Sequence, residues 1–282
     1  MTPPGPVLDD HCHLDAERGR GLEAVREFAR AGGTHLLVCN LPSWHLGVEV
    51  ETGEDFREVF DRTVALVESA SEALPGRAWP VLGVHPALVS RLVDDRGYPP
   101  EDAAALMRSG LDAAAEYAAD GPTVALKSGR PHYPVSDAVW AASNAVIRHA
   151  FALAAETGVG VQLHTEAGDD FAELAGWADD AGLPPERVVK HYAEGPTAGV
   201  TPSVIARTGP LEAAVASGEP FCMETDYLDD PDRPGAVLGP KTVPRRVAWL
   251  LDEGHEAAVT RAHVETPGRV YGVDTVGTLA DD

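Results

Sequence analysis

Lysine is almost missing from this 282-residue sequence: Lys127, Lys190 and Lys241 stand against nineteen arginines. Positive charge as a whole is scarce, with 22 basic and 45 acidic side chains giving a formal net charge of −23. That balance excludes a broad basic surface of the kind that grips nucleic acid by its phosphates, so any phosphate contact has to be local. Isoleucine occurs only twice. Cys12, Cys39 and Cys222 are an odd number without CxxC spacing, which argues against a disulfide framework and for a reducing compartment. No run of eighteen apolar residues exists, so no membrane-spanning segment is expected. The opening MTPPGPVLDD has neither a basic n-region nor an apolar h-region, so no signal peptide is expected. The expectation is a soluble, cytoplasmic protein of open oligomeric state.

What is present describes a globular chain. With 44% apolar and 6% aromatic residues and acid spread along its length, the sequence is no disordered acidic tail. Residues 1–282 suit a single domain with an ample core. Abundant Asp and Glu with so little lysine resembles cytoplasmic proteins of extreme halophiles. Self-repulsion at −23 strains a compact domain at low ionic strength, and at ~1 M salt a screening length of roughly 3 Å relieves it. The other reading is an acidic protein of ordinary salt.

Short Val/Leu runs alternate with Ala-rich helical stretches. Strands are predicted over 7–14, 35–40, 78–85, 123–128, 160–165, 187–192, 201–207 and 220–226. Helices are predicted over 21–31, 55–74, 100–119, 137–157, 169–181, 211–217 and 244–258. Eight strands with intervening helices fit an α/β (β/α)8 TIM barrel, with a doubly wound open sheet as the alternative. GPTAGV between strands six and seven leaves no room for a full sixth helix, so a reduced one is expected. The irregular stretches 42–54 and 228–243 follow strands and belong on the C-terminal face, where barrel active sites are built.

Histidine placement carries the functional reading. His11 and His13, in DDHCHLD at the end of strand one, share a face by the period of two, and Cys12 faces the other way. VQLHTE puts His164 at the end of strand five, VVKHYA puts His191 at the end of strand six, and CMETD ends strand eight at Asp226. One such histidine is ordinarily a core or loop residue. Four with an aspartate at matching strand ends point to a divalent metal.

These residues carry a family resemblance. The His-x-His, the two later histidines and the final Asp resemble the amidohydrolase superfamily of metal-dependent barrels. Within it, DDHCHLD, GVHP and METD look like the TatD-related hydrolases, whose HCHL, GxHP and ETD signatures they match in order from residue 9 to residue 226. The resemblance implies a metal-dependent hydrolase with His11, His13 and Asp226 on one ion and His164 and His191 on a second, the metal being zinc, or manganese, magnesium or nickel. It departs from the pattern at strand four. Where TatD-like enzymes carry a bridging Glu, ALKSGRPHY places Lys127. An ammonium cannot bind metal, but other branches of the superfamily bridge their ions with a lysine carbamate made from carbon dioxide. Only a primary amine reacts that way, and this chain has otherwise replaced lysine by arginine or acid. Carboxylated Lys127 across two ions is therefore the expectation, against a bare lysine beside one ion.

Two cations about 3.5–4 Å apart lower the pKa of water enough to supply hydroxide near neutral pH. Asp226 is expected to move its proton, the usual role of this residue in the superfamily. His85, Arg130 and His132 are candidates for substrate contact. Glu224 either shapes the substrate site, anchors a histidine, or is a structural carboxylate inside the barrel. Lys190 is expected on the opposite strand face in a structural role, and Lys241 in an exposed loop. Three functions compete: a TatD-like phosphoester hydrolase, including a nuclease; a hydrolase of carboxylic esters, lactones or cyclic amides; and a non-enzymatic metal-binding barrel. The substrate is a small molecule or an oligonucleotide.

Overall fold

Eight parallel strand positions curl into one sheet whose two ends meet at a kink. In the computed structural model, which describes residues 5–279, they are β1 (Leu8–His13), β2 (His35–Cys39), β3 (Ala78–Gly83), β4 (Ala125–Gly129), β5 (Gly160–His164), β6 (Val188–Ala193), β7 (Thr201–Ile205), β8 (Cys222–Glu224) and β9 (Tyr227–Leu228). Residues 1–4 of the opening segment, and residues 280–282 of the expected 1–282 domain, lie outside the described residues. From β2 to β8 each strand pairs with its predecessor in sequence, and β9 pairs with β1. β8 and β9 are two halves of the eighth strand, separated by Thr225 and Asp226. Asp226 has φ 50°, a left-handed conformation uncommon outside glycine, and this turns the chain from one partner strand to the other. Asp9 holds the seam, accepting hydrogen bonds from the Thr225 N–H at 3.0 Å and hydroxyl at 2.6 Å. The result is the expected TIM-barrel architecture.

The strands are buried on both faces, as a parallel sheet wrapped by helices requires. Outside, Phe60, Met107, Leu111, Ile147 and Phe151 from the helices Phe56–Glu72, Pro100–Ala119 and Asp137–Thr157 form the largest core cluster against β3 to β5. The third of these helices starts where Ser136 Oγ accepts the Val139 N–H and stops at Gly158, φ 72°. Inside, Leu8, Leu37, Trp79, Val81, Val189, Val270 and Tyr271 fill one end of the barrel, leaving the strand C-termini for polar side chains.

Three expectations need correction. The segment 194–200 between β6 and β7 holds no helix at all, not a reduced one. It runs instead beside the loop after β5, with the Ala198 N–H donating to the Asp169 carbonyl and the Phe171 N–H to the Ala198 carbonyl. That pairing delays the helix expected from residue 169, which spans Ala172–Asp180. The helix expected over 244–258 is two, Thr242–Asp252 and Glu256–Thr260, broken at Gly254 with φ 80°.

Gly83, which ends β3, is required by proximity. A Cβ there would sit 2.0 Å from the Lys127 carbonyl oxygen and 2.8 Å from its nitrogen. Gly83→Ala must push β3 and β4 apart beside Lys127. We expect a loss of more than about 2 kcal/mol, read from the urea midpoint, while an unchanged midpoint would show that the strands have slack here.

Candidate metal centre

The strand ends bring six imidazoles together. His11 stacks on His191 with ring centroids 4.1 Å apart, His13 meets His11 edge-on at 5.1 Å, and His164 lies 5.0 Å from His191. His85 and His132 flank His164 at 5.0 and 4.9 Å. The register of β1 against β2 shifts between Asp9 and Cys12, a bulge that lets consecutive Asp10 and His11 both serve the interior. Cys12 faces the outer core, as expected.

Three of the imidazoles are held by their far nitrogen. His11 Nδ1 lies 2.7 Å from Gln162 Oε1, His13 Nδ1 lies 3.0 Å from the Cys39 carbonyl, and His191 Nδ1 lies 3.2 Å from Glu224 Oε1. Each oxygen can only accept, so each Nδ1 carries the hydrogen and each Nε2 is left as a bare donor pair. Burial pushes His11, His13, His85, His164 and His191 well below the ordinary histidine range, with Lys127 adding to the effect, so the rings are neutral. Neutral imidazoles with an acceptor behind them are what a divalent metal requires. His11, His13 and Asp226 offer ligand atoms within 4.8 Å of one another, and His164 Nδ1 lies 2.8 Å from His191 Nε2. The donor set fits divalent metal.

A second close group, His11, His191 and Glu224, has a different explanation. Glu224 is fully buried, and its Oε1 also takes the Tyr192 N–H at 2.8 Å. Its Oε2 faces Ser203 Oγ, which also contacts Asp10 Oδ1. A hydroxyl has one hydrogen and cannot donate to both, so one of these carboxyls is protonated. Burial raises both Asp10 and Glu224, in keeping with a shared proton. Glu224 therefore anchors His191, one of the readings open for it, and it does not line the cavity as a substrate contact would.

Lys127 lies at the centre, 2% exposed, with Nζ 3.1 Å from His11 Nε2. Asp226 Oδ1 is 3.8 Å from the same nitrogen, and burial raises its carboxyl to about 6, offset by Lys127, Lys190 and Arg233. A cavity of about 840 Å³ opens beside Asp226, lined also by His132, His164, His191 and Lys190. His85 Nδ1 accepts the Ala87 N–H at 3.1 Å, so Nε2 carries its hydrogen. His132 is exposed at the rim, its Nδ1 2.8 Å from His164 Nε2.

Arg130 is the second correction among the substrate candidates. It is 5% exposed and engaged by the Glu166 carboxylate, bonds Asn144 Oδ1 at 3.0 Å and stacks 4.3 Å over Trp140. Its charge is spent on structure, and it does not line the cavity.

A model of the TatD-related DNase family matches residues 8–272. The chain belongs to that family. It is also 35% identical over 281 residues to an uncharacterized protein, MJ1127, of Methanocaldococcus jannaschii, covering 95% of this chain and 96% of that one. Among solved structures it resembles an organophosphorus hydrolase from Deinococcus radiodurans, with a TM-score of 0.61 at 15% identity over 95% and 93% of the two chains. A weak promiscuous lactonase template engineered for organophosphate hydrolysis matches with a TM-score of 0.60 at 15% identity, over 95% and 96%. This TatD-family chain is a metal-dependent hydrolase on a TIM-like barrel.

Sequence reading missed the residues beneath the ligands. Gln162 Nε2 donates to the Tyr271 hydroxyl at 2.8 Å and to the Asp10 carbonyl at 2.7 Å, and the Tyr271 hydroxyl reaches Asp10 Oδ2 at 2.9 Å. A continuous chain thus runs His11, Gln162, Tyr271, Asp10, Ser203, Glu224, His191. Gln162 was findable, because it stands two residues before His164 on the same face. Tyr271 was not, since nothing local places a C-terminal helix end inside a barrel.

Two expectations follow. Gln162→Leu removes the acceptor behind His11 and should weaken metal affinity by roughly 10- to 100-fold, measured by competition with a chelating dye; unchanged affinity would show that His11 needs no such support. In chelated protein, the depressed histidines cost stability below about pH 6.5, where the unfolded chain takes up their protons. Asp9, raised to about 7, and Asp10 and Asp226, raised to about 6, act oppositely and lose stability as pH rises through those values. With His35 and His263 also lowered to about 4, histidines outnumber raised carboxyls, so stability should peak near neutrality. Urea midpoints from about pH 5 to about pH 8 check this, and a maximum at the acid end would reverse the sign.

Proposed function

We propose that this chain hydrolyses phosphoesters with a binuclear metal centre in which Lys127, as a carbamate, is the bridging ligand. The observation that carries the reading is the setting of Lys127: a buried amine among neutral imidazoles that otherwise suit a cation. A bare ammonium opposes metal binding there. Attack of the neutral amine on carbon dioxide forms an N–C bond, releases one proton to solvent and leaves an anion with two oxygens in place of the misplaced positive charge. His11, His13 and Asp226 would hold one ion and His164 and His191 the other.

When bound, a divalent ion supplies Lewis-acid activation and lowers the pKa of water. The chain's own part is proton movement and positioning. Asp226 would take a proton from the attacking water and return it to the leaving oxygen. His85 Nε2–H donates to a substrate oxygen, and His132 guards the rim. Family membership and the organophosphorus hydrolase likeness support a phosphorus centre. A second reading, hydrolysis of a carboxylic ester or lactone, draws support from the lysine and from the lactonase origin of one structural relative. The −23 charge supports a working medium of molar salt.

Bis-p-nitrophenyl phosphate, single-stranded DNA, a lactone and p-nitrophenyl acetate, assayed in high salt with zinc or manganese, separate the two readings. Turnover of the diester well above the carboxylic substrates is expected, and the reverse order favours the second. Lys127→Ala should lose metal content and activity, whereas Lys127→Glu should restore two ions. The intact protein should carry the extra mass of one carbon dioxide. Full occupancy and activity in Lys127→Ala would sink the bridge.

A further inference from the structure

Lys190 keeps the outward register expected of it, opposite Leu163 of β5, yet its side chain reaches the wall of the cavity that also holds His164, His191 and Asp226. With no helix after β6, the side chain is covered by the end of its own strand: Tyr192 takes a left-handed φ of 55°, and the His191 and Tyr192 carbonyls both accept from Lys190 Nζ. The residue is 4% exposed, and among the described residues it makes no ion pair. Of the carboxylates on the same cavity wall, Asp169 and Glu194 are exposed at the rim, Glu194 lies 3.9 Å from Arg207, and Asp226 faces His11. An ammonium has three hydrogens, of which two carbonyls take two.

We propose that the third hydrogen is the anion contact of the substrate, so that Lys190 selects a negatively charged phosphoryl or phosphonyl group over a neutral ester. This rests on the phosphoester reading and narrows it. A phosphodiester or monoester gains a charge-assisted hydrogen bond that a neutral phosphotriester, lactone or carboxylic ester cannot make. Arg130, the other buried cation nearby, is already neutralised by Glu166. Of the three lysines, Lys127 and Lys190 both border the histidine cluster, while Lys241 is paired with Glu27 at the surface.

The test compares metal-loaded wild type, Lys190→Met and Lys190→Arg. Phenylphosphonate, which is not hydrolysed, is titrated calorimetrically, and KM and kcat are measured on bis-p-nitrophenyl phosphate and neutral p-nitrophenyl acetate. Lys190→Met should weaken phosphonate binding and raise KM for the diester by roughly 10- to 100-fold. Its kcat and its kinetics on the acetate should change less than about threefold. Lys190→Arg should retain phosphonate binding within about tenfold. Equal losses on charged and neutral substrates, or unchanged phosphonate affinity in Lys190→Met, would overturn the assignment. Should Lys190→Met fail to fold, judged by its melting curve, Lys190→Arg decides: phosphonate binding kept supports charge recognition, and binding lost in a folded Lys190→Arg refutes it. If no phosphoester is turned over, the phosphoester reading fails separately, because the phosphonate titration still reports on Lys190.

Discussion

The site depends on which nitrogen of each imidazole carries the hydrogen. His11, His13 and His191 present a bare Nε2 because Gln162, the Cys39 carbonyl and Glu224 each take the hydrogen on the other side. Burial would keep the rings neutral by itself, but it would not choose the tautomer or the orientation. The choice is made by oxygens fixed in turn by Tyr271, Asp10 and Ser203. A hydrogen-bonded chain of this kind is stable in a low-dielectric interior only when every member is satisfied. The polar floor and the apolar plug around Leu37, Trp79 and Val270 are thus parts of one arrangement.

Strand order and ligand geometry are linked as well. Parallel strands deliver their C-terminal ends to one face, so single residues at the ends of β1, β5, β6 and the split eighth strand converge although they are far apart in sequence. The local devices that refine this are a bulge in β1, a close strand approach at Gly83, and left-handed residues at Tyr192 and Asp226. Strained non-glycine conformations of this type persist where surrounding contacts over-determine them. Here both occur at the rim of the same cavity.

Much of this was legible in the residues. The eight strands, the long helices Pro100–Ala119 and Asp137–Thr157, and the clustering of His11, His13, His164, His191 and Asp226 follow from hydrophobic patterning and position at strand ends. The failures have physical reasons. Arg130 looked free because its partners, Glu166, Asn144 and Trp140, are brought to it by tertiary packing. For Glu224 the sequence left several roles open, because strand periodicity reports a face and not which hydrogen bonds are made, and the bond to His191 selects among them. Lys190 has the face that periodicity assigns, but periodicity does not report that no helix follows β6 or that the side chain reaches the cavity.

The kink at Asp226 joins two matters that are usually separate. One half of the eighth strand is bonded to β7 and the other to β1, and the residue between them carries the carboxylate that faces His11. The last join of the barrel and the position of that carboxylate are consequently a single coordinate. Any opening of the seam carries Asp226 away from His11 before the surrounding helices need to move, so integrity of the circle and competence of the site rise and fall together.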